Sequence, residues 1–240
     1  MIRIFLGNLG SGKTISAVRE MVINQDSGRT TYTNIVTKNI KNVIRIQPQD
    51  IITKSGDKKP SYDLNVDFWN TRDKPLNILW DEVHLTANSR MSMSKVNMIL
   101  SRFIAMARRI TGFDDRGYGH FTFIAQKDRT IDVNIRDLCN EIIYHIGRWI
   151  LHCQDCGTKL WVNSEMQQLD KCIRCKSWNI RKENLMIEQL KFSEWNDFYA
   201  WTNKIKGKWW YEHTIVTDID RFFDRYDTMQ MENIWENYIK

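Results

Sequence analysis

Four of the five residues from Ile2 to Leu6 are apolar, and the run stops at a glycine-rich segment. From Lys13 to about Ile23 apolar positions return at helical spacing. A short apolar run predicts a buried strand, and the 3.6-residue period after it predicts a helix. Thr30 to Ile35 alternates and is rich in β-formers, predicting a second strand, with Val43 to Ile46 as a short third. Turn signals at Ser55-Gly56, Lys59-Pro60 and Lys74-Pro75 interrupt the stretch from Ile51 to Pro75. The apolar run from Leu76 to Trp80 then predicts a strand that ends in two carboxylates, Asp81 and Glu82. Val96, Ile99, Leu100, Phe103, Ile104, Met106 and Ala107 place one amphipathic helix over Ser94 to Arg109. Phe113 to Gly119 reads as a loop, and Phe121 to Ala125 as a strand ending at Gln126. Glu141 to Leu151 and Asn184 to Leu190 predict the arms of a long β-hairpin. Alternating strands and helices of this kind predict an α/β fold with a mainly parallel sheet, whose ligands sit at the carboxyl ends of the strands.

Lys13, Asp81 and Gln126 all fall at such ends. Gly7-Asn8-Leu9-Gly10-Ser11-Gly12-Lys13-Thr14 is a complete G-x-x-x-x-G-K-[ST] phosphate loop in its proper context, strand before and helix after. The loop's backbone N–H groups are expected to cradle the phosphates of ATP. Lys13 reaches the β and γ oxygens, Thr14 ligates Mg²⁺, and the helix start adds its positive end. Asp81 suits the second Mg²⁺ contact. Glu82, the carboxylate beside it, is placed to act as general base on an attacking water. Gln126 is the candidate sensor of the γ-phosphate.

Charge and cysteines refine this picture. The 35 basic and 29 acidic residues of the 240 leave a net charge of +6. Between Ser27 and Pro60 seven basic residues face two acidic ones, a local surplus of +5 that suits a phosphate backbone. Cys153-x2-Cys156 and Cys172-x2-Cys175 fit a four-thiolate Zn²⁺ site of the closed, structural kind. Four cysteines leave His152 no vacancy as a ligand, and Cys139 reads as a buried small hydrophobe. Four thiolates with Zn²⁺ contribute −2, lowering the net charge to about +4. No apolar stretch is long enough to span a membrane and the start lacks a secretion pattern, so a soluble, cytoplasmic protein is expected. The expected division is a P-loop core over residues 1–148, a zinc-ribbon insertion over 149–182 on the hairpin, and an aromatic-rich segment over 183–240. In that last segment Trp195, Trp201, Trp209, Trp210 and Trp235 read as core or interface packing.

These segments together resemble the P-loop ATPases of the FtsK/HerA superfamily, within it the zonular occludens toxin-like and viral genome-packaging branch. The resemblance rests on Gly7 to Thr14, Tyr32-Thr33-Asn34-Ile35, Leu79-Trp80-Asp81-Glu82, Arg108-Arg109-Ile110-Thr111-Gly112, Phe123-Ile124-Ala125-Gln126 and Ile135-Arg136-Asp137-Leu138. A fainter echo lies at Phe223 to Thr228. It implies a RecA-like ATPase core and a homo-oligomeric ring that translocates double-stranded DNA, into a capsid, with a capsid or portal protein as a further partner. By the same resemblance Arg109 is the arginine presented to a neighbour's active site, with Arg108 as its understudy and Arg136 a weaker candidate. Members on filamentous phages usually carry a membrane-spanning segment, which this sequence lacks, and the zinc ribbon is not general to these motors. Four other readings compete. One is a virion assembly or export ATPase acting with a membrane partner, and another is an adaptor that uses ATP as a switch. Asp81-Glu82-Val83-His84 also spells the DExH box of two-lobed helicases, although the chain is short for a second lobe. A small-molecule phosphotransferase would need a lid and an acceptor pocket that the sequence does not display.

Overall fold

The computed structural model describes residues 1–55, 61–82, 95–115, 117–131, 133–163 and 171–227. Strand β1 (Ile2–Leu6) leads through the glycine loop into helix α1 (Lys13–Asp26), followed by β2 (Thr31–Thr33) and β3 (Val43–Arg45). Next come α2 (Pro48–Ile51), a hairpin of β4 (Ile52–Ser55) and β5 (Ser61–Leu64), α3 (Val66–Asn70) and β6 (Asn77–Trp80). Helices α4 (Lys95–Ala105) and α5 (Ala107–Thr111) precede the small β7 (Phe113–Asp114) and β8 (Gly117–Tyr118), then β9 (Phe121–Ile124) and α6 (Val133–Asp137). The long β10 (Glu141–Cys153), β11 (Lys159–Asn163) and β12 (Ile180–Phe192) follow, and the described chain closes with α7 (Trp195–Thr202), β13 (Glu212–Val216) and a 3-10 turn over Ile219–Arg225.

The main sheet runs in the order β13-β12-β10-β1-β9-β6-β2-β3, with β11 added to β10. From β10 to β3 every neighbouring pair is parallel, while β12, β13 and β11 join antiparallel. This is the α/β arrangement with a mainly parallel sheet that the strand and helix order predicts, in keeping with the RecA-like P-loop core that the resemblance implies. Parallel strands covered on both faces read as continuous apolar runs, which is why β1 and β9 are visible in the sequence. Within β1 the side chains divide by parity. Ile4 and Leu6 join a core cluster with Trp69, Trp80, Phe103 and Phe121, whereas Phe5 faces a second cluster with Ile15, Val18, Met21 and Ile187. The sheet is thus sandwiched between α1 and the 3-10 turn on one side and α3, α4 and α7 on the other.

Some elements differ from the pattern-based expectation. The single helix expected to reach Arg109 breaks at Met106, whose ψ of 5° departs from helical geometry, and the second piece ends at Gly112. There φ is +66°, and a Cβ would come within 2.6 Å of the Lys74 side chain. This turn lets Thr111 O accept from Leu76 N at 2.9 Å, tying α5 to the start of β6. The segment expected to be a plain loop over Phe113 to Gly119 contains the two short strands β7 and β8. The expected hairpin is longer than its alternation suggests, with β10 and β12 paired from Ile142↔Phe192 to Cys153↔Ile180. Trp195, Trp201, Trp209 and Trp210 lie half-buried against the larger core cluster, and Trp235 falls outside the described residues. No helix among the described residues is long and apolar enough to cross a membrane.

Candidate nucleotide and metal sites

Backbone geometry at the end of β1 builds a cradle for an anion. Gly7 has φ +147°, and a Cβ there would meet His145 O at 2.5 Å and Ser11 Oγ at 2.6 Å. Gly12 has φ +90° directly before α1, and its Cβ would stand 2.3 Å from Ile187 Cδ1. Side chains are therefore excluded at both ends of the loop. Inside it, Ser11 Oγ is buried with no hydrogen-bond partner among the described residues. Lys13 is 7% exposed, and its Nζ donates to Gly7 O at 2.7 Å and Asn8 O at 2.9 Å. Burial pulls the lysine pKa down, opposed by the charges of Asp81 and Glu82. An ammonium resting on two carbonyls, beside an orphaned hydroxyl and two glycines without room for side chains, fits a polyphosphate.

The carboxylates approach from β6. Thr14 Oγ1 donates to Asp81 Oδ2 at 2.8 Å, bringing together the two hard oxygen donors expected for Mg²⁺. Asp81 Oδ1 accepts from Glu82 N at 2.8 Å, and Glu82 itself has φ +50°. A non-glycine residue held in the left-handed region costs about 1–3 kcal/mol and turns the chain sharply out of the strand. Burial raises the Asp81 carboxyl to about 6, with the neighbouring Glu82 charge pushing the same way and the Thr14 hydrogen bond opposing. Gln126, just past β9, extends Nε2 to within 3.5 Å of Glu82 Oε1. Lys13, Thr14, Asp81, Glu82 and Gln126 thus meet at the carboxyl ends of β1, β6 and β9, with β9 standing between the other two strands.

Asn34 belongs to this site, although sequence reasoning assigned it no role there. Its Nδ2 donates to Asp81 O at 2.9 Å, and its Oδ1 accepts from Asp81 N at 2.7 Å. One amide grips both backbone polar groups of Asp81, extending the β2–β6 pairing by a rung where the strands have ended. The signal in the sequence was its place one residue beyond β2 inside Thr33-Asn34.

At the far end of β10 the cysteines converge. The four Sγ atoms of Cys153, Cys156, Cys172 and Cys175 lie within 4.8 Å of one another, with Cys153–Cys175 at 3.5 Å and Cys156–Cys172 at 3.6 Å. A tetrahedral Zn²⁺ with Zn–S near 2.3 Å has sulfur–sulfur edges of about 3.8 Å, so the four thiols fit that ion. Two knuckles of the same design supply them. Cys153 N donates to Thr158 O and Gly157 N to Cys153 O, while Cys172 N donates to Ser177 O and Lys176 N to Cys172 O. Gly157 and Lys176 hold matching left-handed positions at φ +70° and +61°. Hydrogen bonding with Thr158 draws the Cys156 thiol down to about 6, while Cys175, despite the Ser177 backbone N–H, is pushed up to about 12 by the neighbouring sulfurs. Asp155 joins the knuckles by accepting from Ser177 Oγ and, at 2.8 Å, from Asn179 Nδ2. His152 is not part of the cluster, and Cys139 is partly buried against the larger core cluster, its thiol pushed up to about 12 by burial.

The sequence matches the zonular occludens toxin (Zot) family over residues 1–189. This chain belongs to the Zot family. Among solved structures, the N-terminal domain of zonular occludens toxin from Neisseria meningitidis aligns with 94% of this chain and 98% of its own, at 18% identity and a TM-score of 0.48. The genome packaging NTPase B204 from Sulfolobus turreted icosahedral virus 2, in complex with ATP-gammaS, aligns with 60% of this chain and 74% of its own, at 10% identity and a TM-score of 0.38. No curated protein sequence matches the chain.

Arg109, expected to serve a neighbour's active site, stands apart from the site of its own chain. Arg109 is exposed near the end of α5, where its carbonyl accepts from Lys74 Nζ at 2.5 Å. The short helix that carries Arg108 and Arg109 is tied at Thr111 O to Leu76 N, ahead of β6, so both arginines sit toward the amino ends of the parallel strands β6, β9 and β1. The phosphate loop is at the other end of β1, and within one chain neither arginine joins Lys13 and Glu82. Arg136 is engaged elsewhere, donating to Tyr199 Oη at 3.2 Å while its carbonyl accepts from Trp195 Nε1 at 2.9 Å. Val83 and His84, which complete the DExH pattern, and Thr228 lie outside the described residues.

Proposed function

We propose that this Zot-family chain is a Mg²⁺-dependent ATP hydrolase that works as an oligomeric motor, translocating double-stranded DNA during virion packaging or assembly. The observation that carries the reading is the single hydrogen-bonded run Thr14–Asp81–Glu82, with Gln126 in reach of Glu82, set against the phosphate loop. Thr14 and Asp81 would hold Mg²⁺, which when bound neutralises phosphate charge. Lys13 leaves its two loop carbonyls for the phosphate oxygens, exchanging neutral acceptors for charged ones. Glu82 orients and deprotonates the attacking water, and Gln126 senses through its amide whether Glu82 is engaged.

Arg109 would serve a neighbouring copy, a reading supported by its distance from the phosphate loop of its own chain. A head-to-tail arrangement of that kind closes into a ring or runs on as a filament. The +5 surplus between Ser27 and Pro60 supplies the sequence-independent attraction to a DNA backbone. The four cysteines hold a structural Zn²⁺ that stiffens the hairpin.

The test is ATP hydrolysis with and without long double-stranded DNA, for the wild type and Glu82→Gln. DNA-stimulated turnover that vanishes in the variant, with nucleotide binding retained, is the expected result. Turnover indifferent to DNA would overturn the motor assignment. For the neighbour-acting arginine, mixing Arg109→Ala with Lys13→Ala subunits should restore part of the hydrolysis lost by each, and co-assembled mixtures that stay inactive would refute it.

A further inference from the structure

Among the described residues outside the site, the most deeply buried titratable group is His145 on β10, 1% exposed and directly behind the phosphate loop. Its Nδ1 lies 3.0 Å from Ile143 O and 3.3 Å from Leu6 O, and both carbonyls are acceptors. Nδ1 must therefore carry the proton. Nε2 is left as an acceptor and lies 3.1 Å from Gln189 Nε2, which donates to it. The same Gln189 amide stands 3.3 Å from Ser16 Oγ in the first turn of α1. Burial, reinforced by the nearby Lys13 charge, keeps the ring neutral by lowering its pKa to about 3.

The location of these contacts gives them a purpose. Leu6 is the last residue of β1, and its carbonyl is where the chain leaves the sheet for the loop. Gly7 then presses against the backbone of His145, with no room for a Cβ. Gly12 presses against Ile187 of β12, two residues from Gln189. The β10–β12 pair thus touches the loop at its entry, at its exit and in the helix turn beyond it. An apolar residue at 145 would fill the space beside Phe5, whose ring is 4.7 Å from the imidazole, yet would leave the loop entry ungripped.

We propose that His145, held in one tautomer by the Ile143 and Leu6 carbonyls and tied through Gln189 to Ser16, is a positioning residue that sets the phosphate loop for nucleotide. The inference rests on the nucleotide-binding reading of that loop. His145 touches no substrate. It acts by fixing the Leu6–Gly7 backbone, and so the direction of the loop N–H groups.

The decisive measurement is the affinity for a fluorescent ATP analogue with Mg²⁺, alongside kcat for ATP, in the full chain. His145→Phe keeps an aromatic ring but removes the donor, and weakens the analogue about tenfold, the worth of one buried hydrogen bond. His145→Asn returns an N–H donor at the Nδ1 position and restores affinity to within about threefold of wild type. Gln189→Leu leaves His145 and its Nδ1 proton in place, removes the donor to Nε2 and the tie to Ser16, and weakens binding about threefold to tenfold. In all three, KM rises more than kcat falls. A merely space-filling role predicts the reverse order, with Phe better than Asn. Asn binding no more tightly than Phe, at equal thermal stability, would overturn the proposal. Should His145→Phe fail to fold, Gln189→Leu decides alone, and unchanged affinity there would overturn it. Failure of the wild type to bind the analogue would overturn the nucleotide reading and this proposal with it.

Discussion

Removing the Asn34 amide should disable hydrolysis while sparing nucleotide binding. Asn34→Ala deletes two hydrogen bonds, of 2.7 and 2.9 Å, to the backbone N–H and C=O of Asp81, a residue only 7% exposed. At about 1 kcal/mol net for each bond the loss is about 2 kcal/mol, which lowers Tm by about 4–8 °C in a chain of this size. Asp81 carries Glu82 with it, and Glu82 holds an unfavourable φ of +50° that the surrounding contacts must enforce. If the full 2 kcal/mol is lost from alignment in the transition state, kcat falls about thirtyfold. The phosphate loop is untouched, so the affinity for an ATP analogue without Mg²⁺ should change less than twofold. Asn34→Asp is the sharper variant: it keeps an acceptor for Asp81 N–H but sets a carboxylate oxygen against Asp81 O, and should be slower than alanine. Steady-state ATPase assays at saturating MgATP, paired with analogue titration and thermal melts, measure all three quantities. A folded Asn34→Ala protein with kcat within about twofold of wild type would refute the argument that this amide sets the carboxylates.

Other expectations follow from single contacts. Gly12→Ala places a Cβ 2.3 Å from Ile187 Cδ1 at φ +90°; it should weaken nucleotide binding at least tenfold in titrations, and Ile187→Ala in the same chain should return only part, because the left-handed strain of about 1–2 kcal/mol stays. Elemental analysis should find one Zn²⁺ per chain, and stripping it with a strong chelator should lower Tm and expose four thiols to a colorimetric thiol reagent, whereas a metal-free native preparation would contradict the four-cysteine site. His145 is neutral when folded down to about pH 3, but an unfolded histidine takes up its proton near 6.5. Its contribution is therefore complete above about pH 6.5 and lost as pH falls toward 3, by up to about 1.4 kcal/mol per unit. Denaturant titrations over that window should give His145→Asn a shallower acid decline than wild type.

The legibility of this molecule follows the reach of its constraints. The phosphate loop can be read because its chemistry dictates local backbone, with glycines where Gly7 and Gly12 admit no Cβ. The zinc ligands can be read because each knuckle is built within a few residues of its own cysteines. β1 and β9 stand out because both faces of each are covered. Other features depend on partners far along the chain. Asn34 reads as an ordinary turn former until Asp81, 47 residues away, is brought beside it. His145 sits in an apolar run whose pattern says only that the strand is buried. The break at Met106 leaves no mark, since methionine and alanine are good helix formers and the tie from Leu76 to Thr111 is tertiary. β13 escapes notice because only Val216 of its residues is buried, and its alternation is correspondingly faint.

The place of β1 in the sheet also bears on how the chain comes to be folded. The strand that launches the phosphate loop is synthesised well before the groups that hold it: Met1 N bonds to a carbonyl 118 residues on, and Ile2 N to a side chain 138 residues on. At about 5–20 residues per second, an emerging β1 waits on the order of ten seconds for β9 and β10. During that time it is a bare apolar segment beside a glycine loop that has nothing to press against. Sheets closed by such distant pairings form slowly. Nucleotide binding competence is therefore a late event in biogenesis, reached only after the β10–β12 hairpin has closed behind the loop. A chain truncated before β12 should emerge with its phosphate-binding motif intact in sequence and without function.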